Sequence, residues 1–306
     1  MIQAQNVCKT YKKNQINILN NISFSIKKGE ITAILGHNGS GKSTLLKCMI
    51  GILKPTSGSI TIDGMDSFKY QKKLRTEIGV IFNQKPSFIV DLDVIDNLLF
   101  FKEIYEISDE EYKNNLELID SFLNIKGLYN KPYRKLSFGE RVKCEIASVL
   151  LHNPKYIFLD EPTIGLDYTA KKGLYALLQY LNSSFDSTIV VITHEIDYIQ
   201  SICNHVIILS NGKIKYNGTP DKVKNAIKHK YSVTIKYASI IDSSKYDDLQ
   251  KLAEKNEDNT MTFLCHSEKK LQELQRIVLS SVSLIQFQCE EPTIKEVFEN
   301  VLQEIT

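Results

Sequence analysis

Residues 31–43 read ITAILGHNGSGKS: a short apolar run, a glycine-rich turn, then a lysine and a serine. A run this apolar, interrupted only by Thr32, predicts a strand buried on both faces. Residues 43–53 place apolar side chains at helical spacing, so the order is strand, loop, helix. In that setting residues 36–43, GHNGSGKS, match the pattern G-x-x-x-x-G-K-[ST] of a phosphate-holding loop. Gly36, His37, Asn38, Gly39, Ser40 and Gly41 carry the loop, and Gly39 and Gly41 let the backbone curl until its N–H groups converge on phosphate oxygens. Lys42 then reaches the β- and γ-phosphates, and Ser43 offers a hydroxyl to Mg²⁺. Thr44 follows at the helix start, where the helix dipole adds partial positive charge.

Upstream of this loop, residues 2–7 and 18–26 alternate apolar and polar around a polar stretch, which predicts an antiparallel strand pair. Downstream, the helix has to stop before Lys54-Pro55, and strands follow at 59–62 and 78–82. From about 94 to 151 the periodicity is helical, which predicts a helical insert over roughly residues 88–150. Strand patterns return at 156–159 and 188–192 around a helix at 168–181, the alternation of a parallel sheet with crossover helices. Asn211-Gly212 between two short apolar runs predicts a tight hairpin. A second unit begins after Thr219-Pro220, with strands at 232–237, 261–265 and 283–288 alternating with helices at 246–255, 269–279 and 293–303.

A chain of 306 residues with 42% hydrophobic and 24% charged side chains is long enough for two domains with ordinary cores. Thirty-eight basic against 36 acidic residues leave a charge of +2, too little to neutralise many nucleic-acid phosphates, so no nucleic-acid partner is expected. The longest apolar run, residues 174–178, is far short of the roughly 20 residues a membrane span needs. The opening MIQAQNVCKTYKKNQ has no apolar core of a secretory signal, so a cytoplasmic location is expected. The six cysteines form no C-x-x-C pair and read as small buried hydrophobes rather than metal ligands. Only four arginines occur, at 75, 134, 141 and 276, so fork-type anion clamps are scarce.

Residues 156–161, YIFLDE, describe a strand ending in two carboxylates. Beside a phosphate loop, Asp160 can hold Mg²⁺ and Glu161 can orient and deprotonate an attacking water. Three further features complete a pattern: LSFGER at 136–141, GLD at 165–167, and the single residues Gln84 and His194, each following a predicted strand.

In this order the chain resembles the nucleotide-binding domain of ABC transporters, over residues 1 to about 225. The resemblance implies an α/β fold with a P-loop NTPase core and a mostly parallel sheet, an N-terminal antiparallel β subdomain and a helical insert; residues 226–306 add a small α+β domain. It implies ATP and Mg²⁺ as cofactors and ATP hydrolysis as the reaction. Tyr11 stands where such domains stack an aromatic ring on adenine. Gln84 would touch Mg²⁺ or the attacking water, His194 would contact the γ-phosphate, and Asp167 would lie in a loop crossing a dimer interface. Ser137 and Gly139, kept from the usual LSGGQ, would bind the γ-phosphate held by a second subunit. Phe138 and Glu140 depart from that string, and Glu140 places a negative charge near a triphosphate that Arg141 or Mg²⁺ would have to offset.

Such a subunit works as a homodimer or heterodimer on an integral-membrane permease, peripheral to the cytoplasmic face of the cell membrane. The string EPTIKEVF at 291–298 resembles the ending of the exporter branch that moves drugs, antimicrobial peptides, lipids or polysaccharides, so export is expected. One alternative is an importer whose C-terminal unit senses a ligand. A second, a soluble ABC ATPase of translation or DNA repair, calls for paired ATPase units, long heptads or zinc-type cysteine pairs, none of which the sequence contains. Exposed-looking Phe88, Ile89 and Val90 after Gln84 suggest a docking surface for the permease.

Overall fold

The computed structural model describes residues 1–11, 16–82, 87–193, 201–223 and 231–291. The chain divides into two compact units, Met1–Pro220 and Asp221–Thr306. The domain boundary expected at about residue 225 lies outside the described residues.

The first unit carries two sheets. Strands β1 (Ile2–Tyr11), β2 (Ile16–Ile26), β4 (Ser57–Ile62) and β5 (Met65–Asp66) form an antiparallel sheet in the order β2-β1-β4-β5. The alternation seen in the sequence is that of a sheet with one buried face: Ile2, Ala4, Val7, Ile22, Phe24, Ile26, Ile60 and Ile62 are all in the core. The second sheet runs β6 (Ile78–Ile81), β7 (Tyr156–Asp160), β8 (Thr188–Ile192), β3 (Ile31–Leu35) and β9 (His205–Ser210) in parallel, with β10 (Lys213–Gly218) antiparallel at the edge. Every residue of β3, β7 and β8 is buried, as their unbroken apolar character demands. Asn211 (φ 47°) and Gly212 (φ 69°) make the β9–β10 turn, both with the positive φ that a type I′ hairpin requires.

Helix α1 (Lys42–Met49) follows β3, and the single turn α2 (Gln71–Leu74) precedes β6. The insert consists of α3 (Val94–Ile104), α4 (Asp109–Leu123) and α5 (Phe138–Leu150). Reciprocal capping boxes, Ser108 with Glu111 and Ser137 with Glu140, start α4 and α5 and satisfy two orphan backbone donors each. Helix α6 (Tyr168–Phe185) is the crossover between β7 and β8, with Asp167 as its N-cap. Among the described residues no helix is long and apolar enough to cross a membrane.

The insert and the sheet share a titratable probe. His152 lies flat on Tyr105, with ring centroids 3.8 Å apart, and burial pushes its pKa from 6.5 down to about 4. Below pH 6.5 the unfolded chain takes up this proton and the folded chain does not, so stability falls as pH drops from 6.5 towards 4, by up to about 3 kcal/mol. His152→Phe keeps a ring against Tyr105 and removes the proton site. Its urea midpoint is expected to vary less with pH across that window than the parent's; equal slopes would show that His152 titrates normally.

In the second unit, β11 (Tyr231–Ile240), β12 (Lys255–Glu257), β13 (Thr260–Cys265) and β14 (Val282–Glu290) form one antiparallel sheet in the order β12-β13-β11-β14. Helices α7 (Ser243–Leu252) and α8 (Glu268–Ser281) complete a β-α-β-β-α-β arrangement. Leu249, Leu274 and Val278 of the helices pack on Val233, Ile235, Met261 and Phe263 of the sheet. The helix expected at 246–255 ends at Leu252, and strand β12 follows it unpredicted, because its residues Lys255, Asn256 and Glu257 are all exposed and carry no apolar pattern. The helix expected at 293–303 lies outside the described residues.

Candidate nucleotide site

Strand β3 ends at Leu35 and α1 begins at Lys42, so the loop between them points its amides at whatever sits before the helix. Gly39 (φ 82°) and Gly41 (φ 105°) take left-handed conformations, and a Cβ at Gly41 would come within 2.9 Å of the Ile18 carbonyl oxygen. The amide of Ser40, itself buried, donates to the His37 carbonyl at 3.1 Å. Lys42 folds back over the loop, its Nζ donating to the carbonyls of Gly36 (2.7 Å) and His37 (3.0 Å). Burial lowers the Lys42 pKa, against which the charges of Glu161 and Asp160 act.

This loop is one wall of a cavity of about 770 Å³, to which Asn38, Gly39, Gly41, Lys42, Ser43 and Thr44 contribute. Asp160 and Glu161, at the end of β7, form another. Ser43 Oγ donates to Asp160 Oδ2 at 2.9 Å. Burial raises the Asp160 pKa, while the Ser43 bond, Lys42 and Lys47 act to lower it. A hydroxyl and a carboxylate side by side at the mouth of a phosphate loop are hard oxygen donors of the kind Mg²⁺ takes, one or two from protein and the rest from phosphate and water. The residues therefore fit the ion. Among the described residues no group of three or more His, Cys, Asp or Glu could hold a metal without such help. Glu161 turns off the strand line with φ 53°, uncommon for a residue with a side chain, and its amide donates to the Ile192 carbonyl at 2.8 Å.

Four cavity walls escaped the sequence reading: Ile18, Lys47, Ile52 and Phe82. Lys47 was within reach, since it stands one helical turn after Ser43 on α1. Ile18, Ile52 and Phe82 come from β2, from beyond α1 and from beyond β6, and only the fold brings them together. Tyr11 is not among these walls. It ends β1 half-exposed, with Lys9 Nζ 5.6 Å from its ring centre. Gln84 and His194 lie outside the described residues.

The LSFGER string forms the start of α5, and none of its residues lines the cavity. Ser137 is the N-cap: its amide donates to Glu140 Oε2 (2.8 Å) and its Oγ accepts from the Glu140 amide (3.3 Å). The Ser137 amide and Lys131, 3.6 Å from Glu140 Oε1, hold the Glu140 carboxyl below its usual pKa. Of the two counter-charges expected there, Arg141 or Mg²⁺, Arg141 is not the partner. Arg141 instead donates to the Leu136 (3.1 Å) and Arg134 (2.8 Å) carbonyls. Phe138 is 54% exposed and covers Gly165 of the GLD string, where a Cβ would lie 2.1 Å from its ring. Gly139 packs against the Gly165 carbonyl, which a Cβ would approach to 2.7 Å.

The docking surface expected at 88–90 is also corrected in part. Phe88 is 5% exposed and packs between Phe101 and Tyr133, so it belongs to the insert's core, whereas Ile89 and Val90 are exposed.

Residues 19–164 match the ABC transporter family. The energy-coupling factor transporter ATP-binding protein EcfA2 of Clostridium perfringens is 36% identical over 208 residues, which are 67% of this chain and 73% of that protein. The chain belongs to the ABC transporter ATP-binding family. A methionine import ATP-binding protein, MetN 1 of Oceanobacillus iheyensis, is 36% identical over 71% of this chain, the match spanning 66% of that protein's length. Among solved structures, the dimeric post-hydrolysis state of the ATP-binding cassette MJ0796 bound to ADP and Pi superposes with a TM-score of 0.64 at 32% identity, over 72% of this chain and 98% of that one. The first unit is thus an ABC ATPase with the P-loop NTPase fold. The exporter branch read from residues 291–298 finds no support in these relatives, and residues 292–298 lie outside the described residues.

Proposed function

We propose that this ABC ATPase powers a transporter through a separate integral-membrane permease, working as a homodimer or heterodimer at the cytoplasmic face of the membrane, and that the direction is import. The observation that carries the dimer is the separation of the two half-sites: the phosphate loop and both carboxylates share one cavity, and Ser137 and Gly139 stand outside it. Two subunits facing each other with two-fold symmetry complete two such sites at once. The import direction rests on the kinship with methionine import and energy-coupling factor ATP-binding proteins.

In this reading the loop amides and Lys42 bind the phosphates, and Ser43 and Asp160 hold Mg²⁺, which supplies neutralisation of charge on the phosphate oxygens. Glu161 orients the attacking water and accepts its proton, with Gln84 and His194 completing the γ-phosphate surroundings. The apolar walls Ile18, Ile52 and Phe82 cover the base and ribose. The second unit serves as a ligand-sensing module, the role that fits an importer.

A second groove of about 460 Å³, lined by Ile52, Lys72, Arg75, Phe82 and Tyr105, replaces Phe88 as the proposed seat of a cytoplasmic segment of the permease. It shares Ile52 and Phe82 with the nucleotide cavity, so the two adjoin.

Detergent extraction of native membranes should co-purify the chain with a multi-spanning protein. In proteoliposomes with the ATPase outside, import corresponds to ATP-driven loss of solute from the lumen. Filling of the lumen would reverse the assigned direction, and failure to recover any membrane protein would remove the permease.

A further inference from the structure

We infer that Arg141 is a positioning residue for the signature serine: it braces the turn that delivers Ser137 to the nucleotide of the opposite subunit. The inference rests on the proposed trans contact and adds to it a residue that touches no nucleotide.

Ser137 is fixed on its C-terminal side by Glu140 through the capping box, which uses a lone pair of Oγ and leaves its O–H to donate. That leaves the approach to Ser137, residues 133–136, which forms a short 3₁₀ turn at Tyr133–Lys135 and then extends at Leu136. Turns of this kind hold poorly by themselves, because their hydrogen-bond geometry is inferior to that of an α-helix. Arg141 supplies what the turn lacks. Its Nε donates to the Leu136 carbonyl, its terminal nitrogen to the Arg134 carbonyl, and its own amide to the Ser137 carbonyl at 3.0 Å. Its guanidinium carbon stands 5.3 Å from the centre of the Tyr133 ring. Tyr133 is buried, and its hydroxyl donates to Glu145, one turn further along α5, whose carboxyl burial holds above its usual pKa. One planar fork therefore ties two carbonyls, those of Arg134 and Leu136, and a ring to the helix that Ser137 caps.

The same turn is bonded on its other side to the surface. The amides of Tyr133 and Arg134 donate to the carbonyls of Leu92 and Val90, both 3.0 Å away, and the Arg134 guanidinium pairs with Asp91 at 2.8 Å. Asn97, fully buried, anchors this stretch by bonding Ile89 through both its amide and its carbonyl. Residues 89–92 are thus bonded through this turn to Arg141 and the cap at Ser137, and none of these residues lines the ATP cavity.

Lysine cannot replace this fork, since a point charge on a flexible stem reaches one carbonyl and offers no plane to the ring. The test uses the full chain with Arg141→Met, Arg141→Lys and Ser137→Ala, each also made in a Glu161→Gln background. For Arg141→Met, binding of Mg·ATP to dilute monomer should stay within about twofold. Its kcat, and ATP-driven dimerisation in the Glu161→Gln background, should fall by about 10- to 100-fold, the usual result of a misplaced binding group. Arg141→Lys should lie between Met and the parent. Parental dimerisation in Arg141→Met together with loss in Ser137→Ala would overturn the Arg141 assignment alone. Parental dimerisation in both would overturn the trans contact and the assignment with it. Loss of ATP binding in step with a lowered melting temperature would reduce Arg141 to a folding residue and likewise overturn the inference.

Discussion

Glu161→Gln is expected to bind Mg·ATP as the parent does and to hydrolyse it about 10²–10⁴ times more slowly, the usual worth of a positioned general base. The expectation follows from geometry and chemistry together. Glu161 lines the cavity beside Ser43 and Asp160, and its left-handed backbone turns the side chain off the line of β7. Glutamine keeps the size and the hydrogen-bonding reach but cannot accept the water proton at neutral pH. Binding depends on the loop amides, Lys42 and the Ser43–Asp160 pair, whose hydrogen bonds do not involve Glu161. Single-turnover hydrolysis alongside equilibrium ATP binding separates the two quantities. Parental turnover in the variant would assign the base to another residue.

Lys42→Ala is expected to raise the dissociation constant for Mg·ATP by about 10²–10³-fold, since removing one member of a buried, hydrogen-bonded charge pair costs roughly 2–5 kcal/mol. Two effects add. The phosphates lose their cation, and the carbonyls of Gly36 and His37 lose the donor that holds the loop in shape before nucleotide arrives. Lys42 is 8% exposed, so water is a poor substitute at that position. Titration with a fluorescent ATP analogue reads the change, and binding within about threefold of the parent would show that Lys42 does not meet the phosphates.

Much of this site is legible in the sequence because phosphate chemistry constrains residues that are close along the chain. The loop at 36–43 and the strand-end pair Asp160 and Glu161 each declare themselves by local order, and the cavity brings the two strings together. What the sequence hides depends on long-range packing. Ile18 and Ile52 have no local mark of function: one belongs to an alternating strand and the other to a turn after α1. Phe88 misleads for the same reason. Set between Pro86 and Asp91 it reads as exposed, yet the fold places it against Phe101 and Tyr133. Glu140 looks like an unfavourable charge until the capping box shows it spent on the Ser137 amide. The parallel strands were visible as unbroken apolar runs, while β12, polar and exposed along its whole length, left no trace.

In the proposed dimer, one chain holds only half of each working ATP site. Sedimentation of the Glu161→Gln variant with and without saturating Mg·ATP tests it most directly, because hydrolysis no longer releases the trapped nucleotide. The predicted result is a species of 35.0 kDa without nucleotide that doubles in mass when Mg·ATP is added, and returns to 35.0 kDa when Ser137→Ala is introduced. A particle that stays at 35.0 kDa at saturating ATP, with ATP bound, would contradict it.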